Sequence, residues 1–383
     1  MIRLVHTADV HLDRCYSQAR FPSAFGNRRR QSIRDAFLRI VRRAGEWPAD
    51  ALLIAGDLFE HDRVSRDTVA MLQSAFDTIP HVPVYIAPGN HDPFVADSPY
   101  ARDRWPENVF LFTKPVWSAF TLARVPLTVH GFGFDGPDIS VNPFGALAIP
   151  GDGRVHVAVA HGSEMGSLPP GKGAHAPFDV NAGVPEGLHY LALGHYHGAK
   201  RVPTRNGAWV QYAGSPEGHD FGEPGVHVHV EIEIDGPEIR VREMPSAATV
   251  FETHSIDCSN LESSQSLVEA IRALPASFSG SRIARLVLTG SAPQDIHAEL
   301  PALYDSVQGL FDHLELTNQL ELAEDFNALA HEQTSLGAFI AEINSQLRDI
   351  TDPRRLRLLE RAREVGLAAY RGRMLPIQGV MGE

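Results

Sequence analysis

Two histidines separated by one residue, His195 and His197, follow a short apolar run and could bind a divalent cation. The run Tyr190-Leu191-Ala192-Leu193 predicts a buried strand, and Gly194 separates it from the histidines. A histidine pair at the end of a strand places two neutral nitrogen ligands at one edge of a sheet. An isolated pair is often only surface polarity. This pair gains weight because four earlier strand-like segments also end in side chains that can bind metal.

The side chains at these five strand ends form a ligand set for two divalent metals. They are Asp9 with His11, Asp57, Asn90 with His91, His161, and His195 with His197. A carboxylate shared between two cations offsets their mutual repulsion, and Asp57 is placed for that role. The remaining ligands of one site are expected to be Asp9, His11 and His197. Those of the other site are expected to be Asn90, His161 and His195.

The ligand types predict the chemistry of the site. Mixed nitrogen and oxygen donors favour Mn²⁺, Fe²⁺ or Zn²⁺ over Ca²⁺ or Mg²⁺. Two such ions about 3.5–4 Å apart can acidify a bridging water and hold a phosphate for in-line attack. His91 directly follows the ligand Asn90 and cannot comfortably bind the same ion. We therefore assign His91 to the leaving group or to the charge of the transition state.

The elements that carry these residues predict an α/β fold. Strand and helix patterns alternate from Ile2 to Ile86, which is typical of a sheet covered by helices. After about Val109 the predicted strands come closer together and are separated by turns rich in glycine and proline. This change predicts a second sheet stacked on the first, in a four-layer α/β/β/α sandwich.

The character of the chain changes again near Met244, and 383 residues are enough for more than one domain. We predict a metal-binding catalytic domain over residues 1–245 and a small α/β domain over 246–317. A helical region is expected over 318–375, followed by a flexible tail over 376–383.

Composition excludes several classes of protein. The formal net charge of −13 argues against a surface coated in basic residues, although a local basic path stays open. No apolar run is long enough to span a bilayer, and the segment Met1–His6 lacks the pattern of a signal peptide. Two cysteines do not make a disulfide framework. We therefore expect a cytoplasmic protein with no membrane partner.

The metal-binding motifs of residues 1–234 resemble those of the calcineurin-like metallophosphoesterases. Within that superfamily, three segments resemble the SbcD and YhaO type of DNA-repair exonuclease, namely His6–Asp13, Gly56–Phe59 and Tyr212–Pro216. The resemblance implies Mn²⁺-dependent cleavage of DNA phosphodiester bonds by a metal-bridging hydroxide. It also implies a partner ATPase of the SbcC or YhaN kind, docked on the C-terminal helices, and a capping role for the middle domain in shaping the DNA path.

Basic residues near the predicted site could contact DNA phosphates. Arg28, Arg29 and Arg30 follow the first ligand pair, and a solvated helix start explains them about equally well. Cations are unfavourable at the start of a helix, which slightly favours a DNA contact. Lys200 and Arg201 follow the last ligand and could flank the cleft, but an ordinary exposed turn is at least as good an explanation.

The chain differs at one position from the motif of the exonuclease group that it resembles. Many members of the group have a histidine after Gly-Asp-x-Phe, whereas this chain has Glu60, followed by His61. Whether His61 replaces the missing histidine stays open, as do the oligomeric state, including a homodimer, and the polarity of digestion.

Two other functions are alternatives to a nuclease. A phosphatase or cyclic-nucleotide phosphodiesterase acting on small substrates would use the same metals, but it would not need the segments after Ile234. A non-catalytic scaffold for an ATPase would not need the complete ligand set.

Overall fold

The computed structural model describes residues 1–16, 23–168, 173–275, 278–348 and 350–372. The described chain divides into two compact units. The first contains Met1–His254, Pro275–Arg285 and Phe311–Glu315, and the second contains Ser255–Leu274, Leu286–Leu310 and the residues from Leu316 onward. The predicted boundaries at 245 and 317 stay predictions, and the predicted tail 376–383 lies outside the described residues.

Strands and helices follow one another along the chain as three groups. The first group is β1 (Ile2–Thr7), α1 (Ser23–Glu46), β2 (Ala51–Ile54), α2 (Arg66–Asp77), β3 (Val84–Ile86) and α3 (Pro99–Arg102). The second is β4 (Val109–Leu111), β5 (Ser118–Leu122), β6 (Leu127–Gly131), β7 (Val155–His161), α4 (Val180–Gly183), β8 (Tyr190–Gly194), β9 (Lys200–Val202), β10 (Trp209–Tyr212), β11 (Val228–Asp235) and β12 (Glu238–Pro245). The third is β13 (Thr249–Asp257), α5 (Ser264–Arg272), β14 (Ser281–Thr289), β15 (Ser291–Ala292), α6 (Gln294–Val307), β16 (His313–Asn318), β17 (Glu321–Leu322), α7 (Phe326–Ala330), α8 (Ser335–Arg348) and α9 (Pro353–Tyr370).

The first unit contains two six-stranded sheets. One has the order β12-β11-β1-β2-β3-β4, in which β1 to β4 are parallel and β11 pairs antiparallel with β1. The other has the order β5-β6-β7-β8-β10-β9, with β6, β7, β8 and β10 parallel. In parallel strands the carboxyl ends meet at one edge, so consecutive strands can deliver side chains to a shared site.

Alternation along the central strands separates three apolar cores. In β2, Leu52 and Ile54 pack with the helices α1 and α2, while Ala51 and Leu53 face the second sheet. In β8, Tyr190 and Ala192 join the core between the sheets, and the alternate residues of β8 pack beneath short helices and loops on the outer face. The layers are therefore helix, sheet, sheet, and a thin layer of short helices. The predicted α/β class and four-layer sandwich are confirmed.

Helix α1 begins at Ser23, ahead of the three arginines that could have formed a helix start. The residues that bury the helix against the first sheet are Ile33, Phe37 and Ile40, which lie at helical spacing. The three arginines at 28–30 therefore lie inside the helix rather than in front of it.

The second unit contains the helices α5 to α9 and the paired strands β15 and β17. In α5 the buried residues are Leu267, Val268 and Ile271, a spacing that gives one apolar face. Helices α8 and α9 are joined at Asp352, whose side chain accepts a hydrogen bond from the backbone of Arg354 and caps α9. None of the described helices combines the length and apolar character that a membrane crossing requires.

Candidate metal centre

The carboxyl ends of five strands deliver the predicted ligands to one place. Asp9 and His11 follow β1, Asp57 follows β2, and Asn90 follows β3 in the first sheet. His161 ends β7, and His195 and His197 follow β8 in the second sheet. Because the two sheets are stacked, the ends of β1, β2 and β3 face those of β7 and β8 across the edge of the sandwich.

Asp57 lies between two histidines that come from different sheets. Its Oδ2 is 3.6 Å from Nε2 of His11 and 3.3 Å from Nε2 of His161. Its Oδ1 accepts a hydrogen bond of 2.9 Å from the backbone N–H of His91. This is the position that a carboxylate shared by two cations requires.

The remaining ligands lie on either side of Asp57. Asp9, His11 and His197 each offer one ligand atom, and these three atoms lie within 4.8 Å of one another. The same is true of Asp9, Asp57 and His161. On the second side, Nε2 of His161 is 3.1 Å from Oδ1 of Asn90. The ring of His195 is 5.1 Å from that of His161, between centroids. The structure thus brings all seven predicted ligands together.

Three of the histidines have their second ring nitrogen tied to an acceptor. Nδ1 of His161 lies 2.9 Å from the backbone carbonyl of Ala55. Nδ1 of His11 lies 2.8 Å from Glu60, and Nδ1 of His197 lies 2.6 Å from Glu223. Such partners orient a metal-binding histidine and leave Nε2 to the cation. The donor set therefore fits a pair of divalent cations held by Nε2 atoms and carboxylates.

The site concentrates buried charge that a cation would neutralise. Burial raises the pKa of Asp9. Burial alone would raise the pKa of Asp57 as well, but the neighbouring His161 and His11 hold it well below its usual range. The charge of Asp57 in turn outweighs burial and raises the pKa of His161 to about 9. Buried carboxylates are stable only when they are paired, and bound cations meet the same need.

Four of these residues have a strained backbone. The φ angles are 52° at Asp9, 50° at His11, 53° at Asp57 and 110° at His195. Positive φ values are uncommon outside glycine, and they cluster at functional sites that the surrounding structure holds in place. The strain indicates that the surrounding structure holds these residues in positions that suit ligand binding, against the conformational preference of their backbone.

Two glycines allow the strand ends to approach each other. A Cβ atom at Gly89 would lie 2.4 Å from Oδ1 of Asp57. A Cβ atom at Gly194 would lie 1.9 Å from the backbone oxygen of Ala55. Any side chain at either position would push the strand ends apart.

A buried aspartate fixes the loops after β2 and β3. Asp92 accepts hydrogen bonds from the backbone N–H groups of Asp57, Leu58 and Gly89, at 2.9, 2.9 and 2.6 Å. It also accepts one of 2.7 Å from the hydroxyl of Tyr100. Asp92 thus supports Asp57 from behind. The hydrophobic pattern of the sequence gives no signal of this role.

On its open side the site continues into a cavity of about 400 Å³. Its lining residues are His11, Arg14, Cys15, Glu60, Arg63, His91 and His197. The His91 side chain is 45% exposed, and its Nδ1 lies 2.9 Å from Glu60. This hydrogen bond raises the pKa of His91 to about 8. His91 is thus the histidine that can meet a substrate while staying beside the ligands.

The three arginines that could contact DNA differ in their surroundings. Arg28 is exposed and Arg30 is half-buried. Arg29 is 2% exposed, and both of its terminal nitrogens lie 3.0 Å from Glu217. The expectation of a phosphate contact at Arg29 is therefore wrong, because its guanidinium is buried in an ion pair.

Lys200 and Arg201 lie on the edge strand β9, and both are exposed. Nζ of Lys200 is 3.0 Å from the hydroxyl of Ser167, and Arg201 lies over the ring of Trp209 at 3.8 Å. Neither belongs to the described lining of the cavity beside His91. The cavity is instead lined by Arg63, an exposed residue that no motif in the sequence indicated.

The side chain that contacts the ring of His91 is that of Glu60 rather than that of His61. Nε2 of His61 lies 3.6 Å from Asp97. A further unpredicted residue is His219, which is buried with its ring 5.3 Å from those of His11 and His197. Its position depends on a loop after β10, which gives no periodic signal in the sequence.

Comparison with known proteins identifies a matching family model and several relatives of the chain. A family model described as calcineurin-like phosphoesterase matches residues 2–199. The chain is 25% identical over 302 residues to the uncharacterized metallophosphoesterase YhaO of Bacillus subtilis, covering 76% of this chain and 73% of that protein. It is 27% identical over 244 residues to the DNA double-strand break repair protein Mre11 of Methanopyrus kandleri, covering 58% of this chain and 50% of the relative. A second Mre11, from Haloferax volcanii, is 29% identical over 265 residues, covering 66% of this chain and 54% of the relative.

Two solved structures are also similar to the chain. A dimetal phosphatase from Danio rerio matches with a TM-score of 0.42 and 9% identity, over 64% of this chain and 96% of its own. The protein TT1561 of Thermus thermophilus matches with a TM-score of 0.35 and 15% identity, over 63% of this chain and 98% of its own. The chain spans about half the length of the Mre11 relatives that it matches.

Proposed function

Because the chain belongs to the calcineurin-like phosphoesterase family, we propose that it is a two-metal nuclease that hydrolyses DNA phosphodiester bonds. The observation that carries this proposal is the position of Asp57 between His11 and His161, with His91 beside it at the cavity. The arrangement provides a shared carboxylate, a set of nitrogen ligands on each side, and one histidine exposed to substrate.

We assign the metal ligands as the sequence predicted them. One ion would be held by Asp9, His11 and His197, the other by Asn90, His161 and His195, and Asp57 would be shared. Mixed nitrogen and oxygen donors suit Mn²⁺, with Fe²⁺ and Zn²⁺ as the nearest alternatives. Two divalent ions supply an acidified water and neutralise the charge of a bound phosphate.

His91 acts on the leaving group. Its backbone N–H is fixed by Asp57, and its Nδ1 is fixed by Glu60, so the ring is held beside the ligands. The hydrogen bond to Glu60 raises the pKa of His91, which favours the protonated ring. The oxygen that leaves a phosphodiester is a poor leaving group unless it receives a proton, and a histidine so placed can provide it.

Two features support DNA as the substrate. The relatives include proteins named for DNA double-strand break repair. Arg14 and Arg63 line the cavity beside His91, where cations can hold phosphates that flank the scissile bond. These two residues provide a local basic surface in a chain whose formal net charge is −13.

We also propose a partner, an ATPase of the SbcC or YhaN kind bound through the C-terminal helices. On α9, Leu358, Val365 and Tyr370 are 54%, 41% and 53% exposed. Arginines at 354, 355 and 357 are exposed near the start of the same helix. Exposed apolar side chains with arginines beside them fit a protein partner. Leu358→Glu is expected to weaken binding of the purified ATPase without changing cleavage by the isolated chain.

Metal analysis followed by a substrate panel tests the nuclease proposal. The full chain is expected to hold two metals and to cleave single-stranded and duplex DNA when Mn²⁺ is added. Asp57→Asn should lose the metals and the activity, whereas Asp77→Asn, an exposed aspartate at the end of α2, should lose neither. A protein that holds two metals and hydrolyses only small phosphoesters would contradict the assignment to DNA. A protein that holds none would contradict the ligand set.

A further inference from the structure

Arg14, one of the two arginines that line the cavity, is paired with an acidic residue. Its Nη2 lies 3.2 Å from Oδ2 of Asp220, which belongs to the loop after β10. The side chain of Arg14 is 28% exposed and that of Asp220 is 51% exposed. The other arginine of the lining, Arg63, makes no ion pair with any of the described residues. The two cations of the cavity therefore differ, because a carboxylate already partners one of them.

The backbone around both partners fixes this contact. Oδ1 of Asp220 accepts a hydrogen bond of 2.8 Å from the N–H of Gly222, which is an Asx turn. The carbonyl of Asp220 accepts one of 3.0 Å from the N–H of Glu223. On the other side, the N–H of Arg14 donates to the carbonyl of His11 at 3.1 Å. The turn thus holds the carboxylate of Asp220 toward Arg14, with its second oxygen left for the guanidinium.

The contact between Arg14 and Asp220 is one that a bound anion can replace. Exposed ion pairs contribute little to stability, because each charge regains water when the pair separates. The pair of Arg29 and Glu217 is different, since both side chains are buried and separation would leave a buried charge without a partner. An anion that reaches Arg14 therefore displaces only a weak contact.

The carboxylate of Asp220 opposes the binding of an anion at Arg14. While the two are paired, the charge of Asp220 cancels much of the attraction that Arg14 exerts on a phosphate. If both anions approach the same guanidinium, they repel each other. Asp220 is not among the described residues that line the cavity, so its effect on a ligand there passes through Arg14. Either way, Asp220 lowers the affinity of this position for phosphate.

We propose that Asp220 competes with the substrate for Arg14 and thereby sets the affinity for a phosphate that flanks the scissile bond. The proposal rests on the proposed function, in which Arg14 contacts such a phosphate of DNA. In the free protein the carboxylate occupies Arg14, and a flanking phosphate takes its place when the substrate binds. Asp220 touches neither the reacting phosphate nor the metal ligands. Only a substrate with a phosphate beyond the scissile one is affected.

The variant Asp220→Asn tests the competition on two substrates. Asparagine keeps an oxygen that can accept from Gly222 and removes the charge. The full chain is assayed with Mn²⁺ on a single-stranded oligonucleotide and on thymidine 5′-p-nitrophenyl phosphate, a diester with one phosphate. We expect KM for the oligonucleotide to fall about two- to fivefold, the range of an exposed ion pair. We expect kcat for the oligonucleotide and both constants for the nitrophenyl ester to change by less than about 1.5-fold.

Two controls separate this effect from a general change in charge. Asp77→Asn removes the same charge from an exposed aspartate at the end of α2 and should leave both substrates unaffected. Raising the salt concentration from about 0.1 M to about 1 M should remove most of the difference between Asp220→Asn and the wild type, because screening shortens from about 10 Å to about 3 Å.

The two arginines of the lining provide a matched pair of double variants. If Asp220 acts through Arg14, then Asp220→Asn should lower KM in an Arg63→Gln background as much as in the wild type. In an Arg14→Gln background it should have no effect, because its partner is already gone. An effect of equal size in both backgrounds would mean that Asp220 acts only as one more negative charge near the cavity.

A binding measurement separates this proposal from that of the nuclease. The fluorescence anisotropy of a labelled phosphorothioate oligonucleotide, whose linkages resist hydrolysis, gives the Kd of each variant without cleavage. A higher Kd or KM in Asp220→Asn would show that Asp220 orients Arg14 for the substrate, and equal values would show that it does not compete. A wild type that binds the oligonucleotide but cleaves no DNA would contradict the nuclease function, while the Kd values would still decide the role of Asp220. A wild type that binds no oligonucleotide would overturn the competition, because Arg14 would then hold no phosphate of DNA.

Discussion

Oε1 of Glu223 lies 2.6 Å from Nδ1 of His197, across 26 residues of chain. The other oxygen of Glu223 accepts hydrogen bonds of 3.1 Å from the hydroxyl of Ser215 and from the backbone N–H of His219. Glu223 is therefore itself held in place, and it orients His197 from the side opposite the other ligands.

This relationship predicts a change in metal affinity without a change in the ligand set. Glu223→Gln keeps the shape but weakens the bond that orients His197, and loss of such a partner typically costs 10–100-fold in metal affinity. We expect the apparent Kd for Mn²⁺, measured by calorimetry, to rise by about that factor, with activity recovering at high Mn²⁺. Glu186→Gln, an exposed control, should bind as the wild type does. Equal affinity in Glu223→Gln would show that His197 needs no support.

Replacement of His91 should separate catalysis from metal binding. The ring is exposed to the cavity and bonded to Glu60, and it is not among the assigned ligands. His91→Gln is expected to lower kcat for DNA cleavage by about 10²–10⁴-fold, the usual contribution of a positioned acid. Elemental analysis should still find two metals. His81→Gln, at an exposed histidine before β3, is the matched control. Loss of a metal in His91→Gln would move this residue into the ligand set.

The ligands at the strand ends could be predicted from the sequence because the hydrophobic pattern shows where each strand ends. Asp57 follows the apolar run of β2 and His161 ends that of β7, and parallel strands bring such residues to one edge. The sequence could not predict the role of Glu60, because its partners His11 and His91 lie 49 and 31 residues away and no periodicity links them. The residues that hydrogen-bond to the ligands are therefore harder to predict from the sequence than the ligands themselves.

The sequence also could not show which individual charged side chains are buried. Arg28, Arg29 and Arg30 have the same side chain, and only the turn of α1 decides which one faces inward. The partner of Arg29 is Glu217, 188 residues further on, so the pattern of three arginines could not show an internal ion pair.

The ion pair between Arg29 and Glu217 predicts a large effect on stability. Both side chains are buried, and Arg29 also donates to the carbonyl of Gly218 at 2.6 Å. Arg29→Met leaves a buried carboxylate without its partner, which typically costs about 3–5 kcal/mol. Arg28→Met, one residue away and exposed, should change the free energy of unfolding by less than about 0.5 kcal/mol. Urea unfolding measures both variants. Similar values for the two would mean that Glu217 finds another partner.

His229 predicts a loss of stability at acidic pH. Its side chain is buried in β11, and neither ring nitrogen has a hydrogen-bond partner among the described residues. Burial lowers the pKa of His229 to about 4, from about 6.5 in an unfolded chain. Between these two values the unfolded chain takes up a proton that the folded chain excludes. Stability from this residue is therefore complete above pH 6.5 and is lost as the pH falls toward 4, by on the order of 3 kcal/mol.

Replacing His229 with leucine should remove this dependence. At pH 7 we expect His229→Leu to be as stable as the wild type or more stable, because a buried polar group without partners costs about 1–3 kcal/mol. Its advantage in the free energy of unfolding, from urea titrations at pH 7, 5.5 and 4.5, should grow as the pH falls. His81→Leu, which removes an exposed histidine, should show a constant difference from the wild type over the same range. If the difference for His229→Leu is also constant, then His229 is protonated inside the folded protein, with Glu231, whose carboxylate lies 4.0 Å from Nε2, as its counterion.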